Sequence, residues 1–299
     1  MNPKDALQIL FWEFHEQHPG MEVRDIAVNL DLPEAVLLSS FLGQGAWELY
    51  NDPCEILTLL LAQPHPFICH TRMPHAQMET QITKGAVLKT TDENALILEQ
   101  ANAHFHFSTG TWAHTYFLEE ETHAGWIRSI QFFNQDGFST LKIFLDESPA
   151  TLDETIKTRF CKTDAVFLEH LTLTPLGNTF QFDKDKFTAV TPFTCSGILT
   201  RVVESGLSLH AYIRNPGTHH EHVGSLSQVF KRGPWIHALG TGLEIKVQFK
   251  QFGTAYIVKN NQRFDLEYYD KTGDFMVGFF VDTPGEQEIW KDFLKNIPR

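Results

Sequence analysis

The sequence predicts an α+β protein made of two tandem repeats of one unit. Ser129–Gly137 (SIQFFNQDG) reads like Asp265–Gly273 (DLEYYDKTG), each an alternating apolar segment ending at an Asn/Asp and Gly turn. Each is followed by a second apolar segment, Leu141–Leu145 and Met276–Val281, so both copies predict a β-hairpin. Upstream, Ile56-Leu-Thr58 matches Ile198-Leu-Thr200, and Arg72-Met-Pro74 matches Arg214-Asn-Pro216, both at a spacing of 142. Several matches in one order imply duplication.

Taken in order, Pro3 to His15 has an amphipathic pattern, and Val23 to Leu30 with Pro33 to Phe41 predicts a short helical pair. This extension, residues 1–45, is additional to the repeat. The second helix of the pair carries no basic residue to meet phosphate, so its helix-turn-helix outline does not predict DNA binding. In the first copy, Asp52-Pro53 starts a helix that runs to Leu61, and Phe67 to Thr71 is a strand. Strands follow at Ala95–Leu98, His104–Phe107, Trp112–Glu119, Trp126–Phe133 and Phe138–Leu145. Thr151 to Phe160 has Asp153 and Glu154 at its start and Lys157 and Arg159 at its end, the charge order a helix dipole favours. In the second copy, Ile198 to Glu204 is a helix stopped by Gly206, and Pro284 to Asn296 is the closing helix. The expected domains are 1–160 and 161–299, joined near 161–190, where Thr179 to Lys186 predicts a connecting hairpin or loop.

With 42% hydrophobic and 20% charged residues, the chain has a globular composition. The net charge of -13 disfavours nucleic acid and anionic membranes as partners. No apolar run approaches the ~20 residues that span a bilayer, so no membrane insertion is expected. The first residues lack the basic start and apolar core of a secretion signal, which makes a cytoplasmic address the expectation. Cys54, Cys69, Cys161 and Cys195 form no CxxC pair and are expected as reduced thiols. The 25 phenylalanines point to an aromatic core or an apolar pocket, and the 15 histidines offer many candidate ligands.

Three stretches resemble the HemS/ChuX family of haemin-utilisation proteins in its duplicated form. They are Trp126–Leu145; Asn215-Pro-Gly217 with His222 and Gly233-Pro-Trp235; and Arg24–Ala27 with Leu32–Ala35. Together they span most of the chain in the family's order. The resemblance implies a large curved antiparallel β-sheet with flanking helices in each unit, with haem (iron protoporphyrin) as the cofactor. It leaves activity open: haem uptake, storage or delivery with haem donor or acceptor proteins, oxygen-dependent haem degradation, or a repurposed interaction module without haem. The single-unit branch dimerises, so a homodimer also stays open.

Haem requires an apolar slot, an axial ligand and groups for its propionates. By likeness to the single-unit branch, His70 and His106 are the candidate iron ligands. His104 shares a sheet face with His106, the alternative being an ordinary solvated face. Arg72, Arg128 and Arg214 are candidate propionate partners, with a structural ion pair equally open for each. His222 matches a family position within His219-His220-Glu221-His222, a cluster expected in a surface loop. Two departures stand out. The duplicated members carry an axial histidine in a helical segment that here, near Thr163–Phe167, has none, and His170 is out of register. They also carry arginine where this chain has His106. By repeat alignment Tyr212 stands opposite His70 and Gly242 opposite His106, so binding is expected in the first copy alone. Trp112, Tyr116, Phe132 and Phe133 are expected in the core.

Overall fold

The computed structural model describes residues 2–19, 21–122, 125–145, 149–169, 171 and 186–298. Seven helices and seventeen strands occur among them. In order they are α1 (Pro3–Gln17), α2 (Val23–Asn29), α3 (Glu34–Ser39), β1 (Ala46–Leu49), α4 (Pro53–Leu61), β2 (Phe67–Met73), β3 (Ala76–Ile82), β4 (Val87–Asp92), β5 (Ala95–Gln100), β6 (Ala103–Phe107), β7 (Trp112–Thr122), β8 (Gly125–Asn134), β9 (Ser139–Phe144) and α5 (Ala150–Phe160). The second copy supplies β10 (Phe187–Val190), α6 (Cys195–Ser205), β11 (Ser208–Asn215), β12 (Thr218–Arg232), β13 (Trp235–Gly240), β14 (Leu243–Gln248), β15 (Phe252–Asn260), β16 (Arg263–Asp270), β17 (Phe275–Phe280) and α7 (Pro284–Lys295). The α+β class and the order of elements follow the sequence expectation. Most of the connecting hairpin expected at Thr179–Lys186, and His170, lie outside the described residues. No helix among the described residues is long and apolar enough to cross a membrane.

Local chemistry explains the element ends. Asn2 caps α1 through the Lys4 amide, and Asp52 caps α4 through the Glu55 amide, each ahead of a proline in the first turn. Gly206, at φ +65°, closes α6 in the left-handed region that side-chain-bearing residues avoid. The duplicated hairpin is built by the same hydrogen bonds in both copies. Asn134 Oδ1 accepts from the amides of Asp136 and Phe138. Asp270 Oδ1 accepts from those of Thr272 and Asp274. A β-bulge opens β7 at Trp112/His114 and β15 at Phe252/Thr254, and further matched bulges lie in the β8–β9 and β16–β17 pairings.

Contacts divide the chain into two compact units that are not contiguous halves. The first comprises 1–69, 88–96 and 108–175; the second comprises 70–87, 97–107 and 176–299. In the first, β1, β7, β8 and β9 pair antiparallel in that order. Tyr116, Leu118 and Phe133 pack there with Ala35 and Leu38 of α3. Trp112 and Phe132 are also buried, as expected.

In the second unit β6, β12, β11, β17, β16, β15 and β10 form one antiparallel series. Strand β12 shifts register between Leu226 and Gln228, and its far half joins β13, β14 and β3. One core cluster holds residues from both series, such as Met78, Ile213 and Ile245, and it also takes in Val202 of α6 and Trp290 of α7. This unit contains His70, Arg72, His104, His106, Arg214 and His222, whereas Arg128 lies on β8 in the first unit, in an ion pair with Asp153 at 2.6 Å.

Candidate functional site

Period-two alternation gives β6 and β12 two distinct faces. The strands pair His222 with Ala103, Glu221 with His104, His220 with Phe105 and His219 with His106. Phe105, Phe107, His220 and His222 are buried on the inner face, while His104, His106, His219 and Glu221 lie on the partly exposed outer face. The histidine cluster is therefore strand, not the expected surface loop. Long-range pairing to β6 on one side and β11 on the other outweighs its polar composition.

On the inner face the hydrogen-bond roles follow one another. Asn102 Nδ2 donates to His222 Nε2 (3.4 Å), which makes Nδ1 of that ring the donor to Thr80 Oγ1 (3.1 Å). The Thr80 hydroxyl is then free to donate to His220 Nε2 (2.8 Å), and His220 Nδ1 donates to Thr71 Oγ1 (3.1 Å). Both rings are neutral in this chain of bonds. Burial agrees with that state: it holds His220 well below the usual histidine range and brings His222 down to about 4. Phe105 stacks on His220 at 4.0 Å.

The Thr71–His220 bond also locates the remaining candidates. Thr71 points inward from β2, so alternation turns His70 and Arg72 away from His220, to the side opposite His219 and His106. Both are buried, at 6% and 7% exposure. The structure therefore brings His104, His106 and Arg214 to one face and places His70, Arg72 and His222 elsewhere.

That outer face continues across β11, β17 and β16. Arg214, His219 and His106 form one cross-strand row; Glu267, Gly278, Tyr212, Glu221 and His104 form the next. A Cβ at Gly278 would come within 2.1 Å of the Tyr212 ring. Glycine there lets the phenol lie across β17 and donate to Glu267 at 2.6 Å. Tyr269 donates to the same carboxylate. Arg214 sits 3.6 Å from Glu267 and 4.4 Å above the Phe275 ring. Tyr212, Tyr269, Phe275 and Phe280 form an aromatic shelf, with Tyr256 packed against it. Glu221 receives His210 at 2.7 Å and lies 3.8 Å from His219 Nε2. Burial raises the Glu221 carboxyl, but the His210 and His219 contacts outweigh it and bring the group down to about 2. Half-exposed His104 lies 3.7 Å from Glu99.

The equivalent row of the other copy has a different chemistry. The single-turn helices Thr109–Thr111 and Phe249–Gln251 correspond at a spacing of 140, so Lys246, not Gly242, is the counterpart of His106. The spacing drops to 136 only beyond the β7–β8 hairpin, which is longer than β15–β16. Lys246 pairs with Glu79 at 3.0 Å and Glu244 at 3.3 Å. Among the described residues no group of three or more His, Cys, Asp or Glu side chains is arranged to enclose a metal ion.

The family model for the haemin-degrading HemS.ChuX domain matches residues 31–157 and 179–297. The chain belongs to the HemS/ChuX family. Among curated HemS/ChuX relatives, the hemin transport protein HmuS of Yersinia pestis is 29% identical over 136 residues, 44% of this chain. HemS of Yersinia enterocolitica is 30% identical over 135 residues. The matched stretch spans 37% of each of these relatives. Two solved structures share the fold along nearly the whole chain. The haem-degrading enzyme ChuS of Escherichia coli O157:H7 gives a TM-score of 0.86 at 18% identity, covering 99% of this chain and 100% of ChuS. Holo-PhuS, a haem-binding protein from Pseudomonas aeruginosa, gives 0.87 at 17%, covering 99% of each.

Within this HemS/ChuX fold, sequence reasoning missed His219 as an outer-face residue, together with Glu267, Tyr269 and Phe275. Gly278 inside the apolar run Met276–Val281 was the available signal, since a strand glycine marks a close approach.

Proposed function

We propose that this protein binds haem on the outer face of its second unit and acts in haem uptake, storage or delivery in the cytoplasm. The observation that carries this reading is the row Arg214, His219, His106 beside the aromatic shelf. Those residues carry the groups that haem's three requirements call for. Tyr212, Phe275 and Phe280, each only 2–4% exposed, form the apolar floor of that face. Above it Arg214 and Arg263 stack on Phe275 and Phe280, and they would have to turn aside for a porphyrin to meet it. Arg214, 40% exposed at its side chain, offers cationic hydrogen bonds to a propionate. His106 offers an imidazole to iron from a strand, which holds it more tightly than a loop would. Bound haem would supply a redox-active iron centre. The chain's own part is to hold the macrocycle, orient its carboxylates and present one imidazole.

A haemin titration of the full chain by visible spectroscopy, with His106→Ala and His70→Ala beside it, tests this reading. We expect a saturable Soret shift near one haem per chain, weakened in His106→Ala and retained in His70→Ala. Retention in His106→Ala with loss in His70→Ala would move the site to the β2 side. Unsaturable binding by the wild type would point to an interaction module instead. Adding a reductant then separates holding haem from degrading it, since only degradation bleaches the Soret band irreversibly.

A further inference from the structure

We propose that His106 and His219 form a two-imidazole site for a borderline divalent transition ion such as Zn²⁺ or Cu²⁺, on the face assigned above to haem. The ladder bond from Val223 N to Asn102 O (2.8 Å) makes Val223/Asn102 a hydrogen-bonded pair. Counting by two along both strands, His219/His106 belongs to the same class, so their Cα atoms lie about 5.5 Å apart with both side chains on one face. Two imidazoles at that separation can converge on one ion at metal–nitrogen distances of about 2.0–2.1 Å.

The electrostatics favour this arrangement. His219 turns Nε2 toward Glu221 at 3.8 Å, which leaves Nδ1 for a ligand. A carboxylate behind a histidine is the usual support of a metal-bound imidazole, fixing its tautomer and ring orientation. Glu221 is itself held by His210 at 2.7 Å. Neutral imidazole pairs select Zn²⁺, Cu²⁺ or Ni²⁺ over hard ions such as Ca²⁺ and Mg²⁺. Two protein ligands leave the other positions to water, so the site would exchange its ion readily and would not be structural. The repeat-related positions of β14 and β3 carry Lys246 opposite Gln77, so the second copy of this row cannot chelate.

His106 is shared with the proposed haem site, so on that reading ion and haem exclude one another. The test uses the haem-free full chain, titrated with ZnSO₄ by calorimetry and with CuSO₄ by electron paramagnetic resonance. Exposed His65→Ala is the control. We expect one saturable site with coupling from two nitrogens, lost in His106→Ala and in His219→Ala, kept in His65→Ala, and weakened about tenfold in Glu221→Gln. Unchanged ion binding in both His106→Ala and His219→Ala overturns the site. A haemin titration with and without Zn²⁺ separates the two readings. Normal haemin binding with no zinc binding overturns the ion site and leaves the haem reading standing. Zinc binding without haemin binding supports the ion site and removes the haem reading.

Discussion

Thr80 and His222 occupy equivalent positions in the two repeats, 142 residues apart, and they hydrogen-bond to each other at 3.1 Å. Duplication thus brings two copies of one position into contact inside the second unit, where they have diverged into donor and acceptor. Thr80 also serves His220 Nε2, so one hydroxyl satisfies a nitrogen on each ring. Thr80→Val should therefore cost about 1–3 kcal/mol for each buried nitrogen left without its partner. Urea unfolding with an unchanged m-value would report it; an unaltered midpoint would show that these rings find other partners.

Acid should act on the same cluster. His220 and His222 are held below the ordinary value of 6.5, so the unfolded chain takes protons that the native rings refuse. Their contribution to stability is complete above pH 6.5 and falls as pH drops from there toward about 4 for His222. The limiting slope is about 1.4 kcal/mol per pH unit per histidine. Urea midpoints should decline between pH 7 and pH 5, before most carboxylates titrate. A flat midpoint over that window would contradict the neutral chain of hydrogen bonds.

Gly278→Ala should displace the Tyr212 phenol, because the new methyl would lie within 2.1 Å of the ring. Overpacking of this kind costs about 1–3 kcal/mol. Haemin affinity should fall with it, whereas Gly197→Ala, in helix α6 with open space around its added methyl, should leave haemin affinity unchanged and raise stability by about 0.4–1 kcal/mol. Equal haemin affinity in the two variants would remove Tyr212 from the binding face.

Arg214→Ala should weaken haemin about tenfold, ~1.4 kcal/mol, as expected for one charge-assisted contact. The same change should leave haemin dimethyl ester unaffected, because its carboxylates are masked. Equal losses for both ligands would mean that Arg214 acts through its packing on Phe275 rather than on a propionate.

Gly278 and His219 show how far the site could be read from sequence. The glycine was visible within an apolar run, but its role depends on Tyr212 lying across it from a strand more than sixty positions earlier. His219 looked like one member of a polar cluster until its register opposite His106 gave it a face. Lys246 shows the converse. Carrying the duplicated hairpin's spacing of 136 upstream put Gly242 opposite His106, and only the observed elements show where the spacing changes.

By itself the sequence determined the duplication, the α+β order of elements and the outward alternation of His104 and His106. These are local properties, set by period-two patterning, capping residues and Asn/Asp-Gly turns that act within a few positions. Only the tertiary structure decided that His70 and His106 lie on opposite sides, and that His222 is an interior group while His219 stands beside His106. Those outcomes depend on which strands pair across more than a hundred residues. A one-residue change of register would send every side chain of β12 to its other face.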